Sequence, residues 1–428
     1  MVPNQKDPNY ISALLADWGP IHESKDSDGR WLISYNFMSA AESGPEQAQS
    51  GFQALSEDQR AAVRQALDTI GAYINVHFVE VAENGDLSYG RTEMPDGVGA
   101  YSYPTLGDIY FDREQSDWSP GSWQYQTILH ETGHILGLEH PGDYNGADGK
   151  LVDNHFSDPE AVGNTAYTLM SYQDYGTHYA VTPMLYDVAA LQQLYGAAST
   201  GAGDDSYRLA IGDSGPAGRF TLYDSGGTDT LVADSRRPQL IDLGDGHFSR
   251  NLDDGEYAFS IAYGTTIENA TGSPFDDQLI GNGLGNLLDG GGGSDILSGG
   301  GGADIFRFSQ YQDSFRNEGS NQNHVDTIQD FTSDDRIDVS ALGFIGLGSG
   351  YDHTLSVVPS GDGSQTYLRD LAGDASGNRF EVALQGDHQQ LAADDFIFAP
   401  APSAVAAEAP GVELGLLGVA DQPADMLA

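Results

Sequence analysis

The sequence predicts two domains, an α+β unit followed by an all-β unit built on a parallel β-roll and a β-sandwich. Three observations predict this. At 428 residues the chain exceeds what one ordinary core holds, so two domains of about 150 to 250 residues are expected. Helical periodicity runs to Tyr195 and disappears beyond Ala197, where Gly, Asp, Asn and short apolar pairs take over. From Gly272 to Arg307 a nine-residue unit repeats four times. The expected division is an N-terminal segment 1–20, an α+β domain 21–196, an all-β domain 197–398 and a disordered Ala/Pro-rich tail 399–428.

The elements follow in order. Trp31 to Met38 and Val76 to Val81 are rich in β-formers, and Gly107 to Asp112 reads as a short strand after a turn. Between the first two lies a helix, where Ser56 with Gln59 forms a capping box and Val63, Ala66, Leu67 and Ile70 share one face. Another helix carries His130 and His134. A third is expected from Pro183 to Tyr195, with Thr182 as N-cap and Leu185, Val188, Leu191 and Leu194 on one side. Gly196 ends it.

Hydrophobic residues make up 39% and aromatics 10%, enough for packed cores. With 64 acidic against 18 basic side chains the net charge is -46, which excludes nucleic acid and anionic membranes as partners. Hard cations bound by carboxylates would neutralise it, and 55 glycines suggest loops that could hold them. The absence of cysteine excludes disulfides and thiolate metal sites. There is no apolar run long enough to span a membrane. Met1 to Tyr10 is polar and lacks the form of a secretory signal, and Met1 to Pro20 reads either as a removable pro-segment or as part of the mature chain.

The four repeat units start at Gly272, Gly281, Gly290 and Gly299. Asp277, Asn286, Asp295 and Asp304 hold their sixth positions, and Leu279, Leu288, Leu297 and Phe306 their eighth. This is the nonapeptide of calcium-binding parallel β-rolls. Its glycines, with Gly283, Gly291, Gly293, Gly300 and Gly302, permit tight turns whose carbonyls face a cation. The sixth-position oxygen completes the site, and the eighth residue fills the roll. In a two-sided roll, loops on one edge are 18 residues apart, so the loop of Asp277 should meet that of Asp295, and that of Asn286 should meet that of Asp304. A flexible linker would not keep an acid and an apolar residue in phase over four units. The first two units depart from the pattern, with Phe275 and Leu284 at fourth positions and Asn286 in place of Asp.

The stretch from His130 to His140 carries the chemistry. His130 and His134 lie on one helical face, where two imidazoles can reach one zinc ion at about 2.0 to 2.1 Å. Glu131 sits beside them, placed as a general base toward a water, and Gly137 turns the chain so that His140 supplies a third ligand. Three nitrogen ligands leave a fourth position open, which marks a catalytic rather than a structural zinc and points to peptide-bond hydrolysis. An amphipathic helix with surface histidines would account for a bare H-E-x-x-H but not for Gly137 and His140 in step with it. His22, His77, His155, His178, His247, His324, His353 and His388 show no ligand spacing and read as surface or packing residues. Asp187 reads either as a carboxylate that orients a zinc histidine or as a helix-face acid.

Thr168-Leu169-Met170-Ser171-Tyr172, His140-Pro141-Gly142-Asp143-Tyr144-Asn145 and the nonapeptides together resemble the serralysin family of bacterial metalloproteases, metzincins with RTX calcium repeats. The likeness runs from Trp31 to Phe398. It implies a metzincin zinc protease domain whose Met170 forms an apolar floor under the metal, in the Met-turn. It implies that Tyr172 both ligates zinc and hydrogen-bonds the tetrahedral intermediate. Further calcium is implied at Gly203 and Asp204, at Asp224, Gly226, Gly227 and Asp229, and at Thr266 and Glu268, although Gly201 stands where many relatives carry Arg. The strand containing Gly107, Asp108, Ile109 and Tyr110 is implied to be the edge that pairs with extended polypeptide substrates. One catalytic Zn²⁺, several structural Ca²⁺, type I secretion to the extracellular space, a monomeric state and a proteinaceous inhibitor complete the implied picture. The rival reading is a calcium-binding adhesin with a non-catalytic domain, which leaves His140 and Met170 without explanation.

Overall fold

A computed structural model describes residues 8–21, 24–40, 51–141, 163–209, 218–253 and 255–400. Expectations for 1–7, His22, Gly142 to Asn145, His155 and 401–428 lie outside the described residues.

The first half builds a six-stranded sheet on which helices pack. A short helix α1 (Pro8–Ser12) leads into β1 (Ser24–Lys25), β2 (Trp31–Phe37), helix α2 (Glu57–Gly71), β3 (Val76–Glu80), β4 (Leu87–Thr92), β5 (Ala100–Tyr103) and β6 (Asp108–Asp112). The sheet order is β1-β2-β4-β6-β5, with β3 also paired to β2. Helices α3 (Trp123–Ile135) and α4 (Leu185–Tyr195) follow. Ser56 and Gln59 cap α2 reciprocally, the Gln59 carbonyl accepting from Ser56 N at 2.9 Å. Its apolar stripe Val63, Ala66, Leu67 and Ile70 is buried.

Two expectations are corrected here. Helix α4 begins two residues later than Pro183, because Thr182 turns its hydroxyl to the Pro183 carbonyl at 2.8 Å and is not the cap. Asp187 caps from inside the helix, accepting from Met184 N at 2.9 Å. The larger correction concerns the substrate edge. Asp108, Ile109 and Tyr110 lie in β6, which pairs with β4 on one side and antiparallel with β5 on the other, so their main-chain groups are already used. Gly107 (φ 79°) stands in the turn before them. The chain reverses through that turn and lays β5 outside β6, so β5 is the edge strand.

Beyond Gly196 come short strands in two facing sheets: β7 (Ser206–Leu209), β8 (Phe220–Leu222), β9 (Thr230–Ala233), β10 (Gln239–Asp242), β11 (Phe248–Asn251), β12 (Tyr257–Ile261), β13 (Asn269–Thr271), β14 (Gln278–Ile280), β15 (Leu287–Asp289), β16 (Ile296–Ser298) and β17 (Ile305–Arg307). The nonapeptide strands alternate between the sheets. Strand β14 pairs in parallel with β16, Leu279 facing Leu297, while β15 pairs with β17, Leu288 facing Phe306. These partners are 18 residues apart, as the repeat requires. All four side chains are fully buried, each contributing about 1.5–3 kcal/mol of transfer free energy. The tight turns need their glycines. A Cβ on Gly272 would lie 2.1 Å from the Gly290 carbonyl oxygen, and Gly293 holds φ 122°. Antiparallel strands Thr354–Pro359, Gln365–Arg369 and Arg379–Gln385 extend the roll into a broader sheet.

Among the described residues two large hydrophobic cores result, beside a small third cluster of Met38 and Tyr110. One gathers Tyr10, Leu14, Ile33, Leu67, Ile128 and Val188, and the other Ile241, Leu279, Leu297, Phe306 and Phe380. The division is not a clean cut in sequence, because Phe248 and Ala262 belong to the first core.

Candidate metal centre

Helix α3 is capped by Ser122, whose hydroxyl accepts from Tyr125 N at 3.1 Å, and it ends before Gly137, where φ of 101° turns the chain. The helix presents His130 and His134 from one face, and the turn returns His140 to them. His130 Nδ1 lies 2.7 Å from the Leu169 carbonyl, and His134 Nδ1 lies 2.9 Å from that of Leu138. A carbonyl can only accept, so both Nδ1 atoms carry the proton and both Nε2 atoms present lone pairs. His140 Nε2 stands 3.1 Å from His134 Nε2 and 3.2 Å from His130 Nε2. Three imidazole nitrogens meeting so closely, at least two of them with lone pairs turned inward, form a donor set that one Lewis acid can occupy. Nitrogens bound tetrahedrally to zinc at about 2.0–2.1 Å stand roughly 3.3 Å apart, so the donor set fits that ion. Burial holds His134 well below its ordinary pKa, with His130 and His140 adding to the effect, and a neutral imidazole is the ligating form.

Glu131 is buried beside this cluster, and its carboxylate accepts from the side chain and backbone of Ser102 on β5. Burial pushes its pKa up, against the nearby His130. Below the histidines, Met170 is fully buried, and a Cβ on Gly133 would lie 3.2 Å from its sulfur, so the glycine between the two helical ligands makes room for the methionine. Tyr172 is 64% exposed, its ring centroid 4.4 Å from that of His140. Asp187 does not touch a histidine. It is fully buried and accepts from Thr168 Oγ1 at 2.6 Å and Leu169 N at 2.7 Å, which fixes the carbonyl that His130 uses.

The roll carries a second kind of cluster. Asp277 N donates to Asp295 Oδ1, Asn286 N to Asp304 Oδ1 and Asp295 N to Asp326 Oδ1, each at 2.8 Å. Each acid thus meets the loop one turn away on its own edge. Burial pushes Asp277 and Asp304 up to about 6, and drives Asp295 higher still, with Asp326 adding its charge. The Oδ2 atoms of Asp229, Asp295 and Asp326 are buried with no hydrogen-bond partner. A second ligand group joins Asp224 and Asp229 to Asp205. Asp204, expected at a separate site, stands outside this group and accepts from Thr228 N at 2.9 Å. Gly203 places its carbonyl against Gly227, Glu268 accepts from Asp229 N at 2.8 Å, and the exposed Thr266 adjoins the buried Thr265 that bonds Asp224.

The family model described as "Peptidase M10 serralysin C terminal" matches residues 186–398. A metalloprotease AprA of Pseudomonas entomophila is 34% identical over 378 residues, 78% of this chain and 76% of that protein. The chain belongs to the serralysin family. Another relative, a serralysin of Photorhabdus laumondii, is 32% identical over 63% of this chain and 62% of its own length. Among solved structures, the R2 module of the Azotobacter vinelandii mannuronan C5-epimerase AlgE6 is 48% identical, covering 32% of this chain and 84% of that module with a TM-score of 0.28.

Within this serralysin-family chain, sequence reasoning missed Ser102, Asp205 and Asp326. Ser102 sits on a strand with no signal before the turn at Gly107. Asp205 adjoins the expected Asp204, and the sequence offers no signal that would favour one over the other. Asp326 stands 31 residues after Asp295, beyond an insertion that breaks the 18-residue spacing.

Proposed function

We propose that the chain is a secreted, calcium-stabilised zinc endopeptidase acting on extended polypeptides. The observation that supports this most is the convergence of three imidazole Nε2 atoms, from His130, His134 and His140, beside the buried carboxylate of Glu131. Zinc held there would polarise a peptide carbonyl and acidify a water. Glu131 takes the proton of the attacking water and returns it to the leaving amine, and its raised pKa suits a group that must do both. Ser102 holds the carboxylate in line. Tyr172, exposed beside His140, donates to the developing oxyanion. Strand β5 offers its outer main-chain groups to the substrate, which the placement of Ser102 next to Glu131 favours over β6.

The first core and its helices form the catalytic metzincin domain, made of 21–196 with Tyr10 to Leu15 packed into it and Phe248 and Ala262 joining its core, and the roll and following strands form a calcium-binding domain within 197–398. Tyr10 to Leu15 belong to the folded enzyme rather than to a removed pro-segment. Tyr10, Ile11, Ala13 and Leu14 are buried in the catalytic core, and Ala16 N and Leu14 O bond the Gly137 and Glu139 backbone at 2.9 Å. The enzyme is a monomer exported by a type I secretion apparatus, with a proteinaceous inhibitor as a further partner.

The test is casein hydrolysis by the full chain. It should cease when a zinc-selective chelator removes the metal and return with added zinc. Hydrolysis that survives zinc removal, or none in the zinc-loaded protein as an adhesin would show, overturns the reading.

A further inference from the structure

The loop that carries Met170 and Tyr172 is closed on itself at its base. Thr165 N donates to the Gln173 carbonyl at 2.9 Å, and Tyr175 N donates to Thr165 Oγ1 at 2.9 Å. Inside it, Ser171 Oγ donates to the Gly163 carbonyl at 2.6 Å and accepts from Gln173 N at 2.9 Å. The base is held by a side chain from the other half of the sequence. Arg219 is 3% exposed. One guanidinium nitrogen donates to the Tyr175 carbonyl and the other to Thr165 Oγ1 at 3.1 Å, so the planar fork bridges both stems of the loop. The Arg219 backbone is fixed by the same segment, its N donating to Tyr179 O at 2.9 Å and its O accepting from Val181 N at 2.8 Å. Its neighbours add to the grip. The Tyr257 ring stacks on Tyr175 at 5.4 Å, Phe248 meets Tyr167 at 4.7 Å, and Glu256 accepts from Thr177 N at 3.3 Å.

Arg219 immediately precedes β8, which pairs with β12, then β11, β10 and β14, the strand of the first nonapeptide. One continuous ladder therefore runs from the repeat strands to the guanidinium. A buried cation supported by a carbonyl and a hydroxyl is costly to keep merely as packing, since an apolar side chain of similar volume would fill the space without desolvating a charge.

We propose that Arg219 is a positioning residue for the active site, holding the stems of the 163–175 loop so that Tyr172 stands beside His140. This rests on the proteolytic reading above. Arg219 touches neither substrate nor ligands, and acts only through the loop. A shift of the tyrosine hydroxyl by about 1 Å is enough to lower a rate by roughly a hundredfold.

The experiment is a double-mutant cycle in the full, zinc- and calcium-loaded chain, with wild type, Arg219→Met, Tyr172→Phe and the double variant assayed on one peptide. Arg219→Met should lower kcat by roughly tenfold to a hundredfold with KM little changed. Arg219→Lys, which keeps the charge and one donor, should recover part of the loss. In the Tyr172→Phe background the Met substitution should cost less than about twofold, because the group being positioned is gone. A second readout needs no metal. In zinc-free protein the amides of Thr165, Gln173 and Tyr175 should exchange with solvent faster in Arg219→Met, while those of helix α3 stay unchanged. Equal losses of kcat in both backgrounds, or unchanged exchange in the loop, would overturn the proposal. If Arg219→Met does not fold, the Lys variant carries the same cycle. An inactive wild type would refute the proteolytic reading alone, and the exchange measurement would still decide whether Arg219 holds the loop.

Discussion

Under the proposed function the histidine cluster and the acid ladder of the roll would both hold cations, but they are prepared in opposite ways. His130 and His134 are oriented by backbone carbonyls within a core that includes Leu129, Leu138 and Met170, so the geometry stands on neutral hydrogen bonds and packing. Along the roll, each carboxylate has one oxygen bonded to the neighbouring loop, while Asp295 and Asp326 keep the other buried and unpartnered. An unpaired buried carboxylate costs several times a lost neutral hydrogen bond. On that reading the first region would be a preformed site that a metal fills, and the second a fold that a cation completes.

The largest expected effect follows from that contrast. Calcium removal from the full chain by a calcium-selective chelator should abolish most of the β signal in far-UV circular dichroism, whereas removal of zinc alone should leave it intact and abolish activity. A roll that keeps its spectrum in calcium-free buffer would break the comparison. Next in size is Glu131→Gln, which should retain about one zinc per chain, measured by metal analysis, while kcat falls by a factor of roughly 10² to 10⁴. Loss of zinc along with activity would make Glu131 part of the ligand support instead of the base.

A smaller effect sharpens the comparison through pH. Asp277 and Asp304 are raised by burial from 3.8 to about 6. A carboxyl whose folded pKa lies above its unfolded value binds more protons when native, so its contribution to stability falls as pH rises, between roughly pH 4 and 6, and stays low above that. Calcium-free protein should therefore regain β signal, or melt at a higher temperature, when moved from about pH 8 to about pH 5. With calcium bound the order should reverse, because the cation requires ionised carboxylates. A calcium-free midpoint that rises with pH would contradict the buried-acid argument.

What was legible in the sequence was local or strictly periodic. Ser56 with Gln59, His130 with His134, and the 18-residue pairing of Leu279 with Leu297 each follow from a short spacing that one turn or one repeat imposes. What was not legible depends on distant chain segments coming together. Strand β6 reads like an edge until β5 is laid outside it, and nothing in Ala100 to Tyr103 announces that role. Asp326 and Arg219 reach their sites across 31 and 54 residues, distances at which spacing carries no signal. Asp187 was visible as a candidate on α4, but its partner turned out to be the turn at Thr168 and not a histidine.

The smallest expected effect separates charge from hydrogen bonding at Asp187. Its Oδ2 accepts from Leu169 N at 2.7 Å and from Met184 N at 2.9 Å, while Oδ1 accepts from Thr168 Oγ1 at 2.6 Å. Asn can reproduce this arrangement. Its amide oxygen takes the Oδ2 place, and its amide nitrogen donates to a Thr168 hydroxyl that rotates to accept. Burial raises the Asp187 carboxyl to about 6, so keeping it ionised at neutral pH carries a desolvation penalty that Asn removes. Asp187→Asn should therefore change stability by less than about 1 kcal/mol and flatten its dependence on pH near 6, with kcat within a fewfold of wild type. Asp187→Ala leaves two backbone N–H groups and a hydroxyl without an acceptor and should cost about 1–3 kcal/mol for each group left unpaired, with a matching loss of zinc affinity as the Leu169 carbonyl drifts from His130. Thermal unfolding across pH and zinc titration of the two variants would check both halves. Equal damage by Asn and Ala would mean that the negative charge itself, and not the hydrogen-bond frame, supports the histidine site.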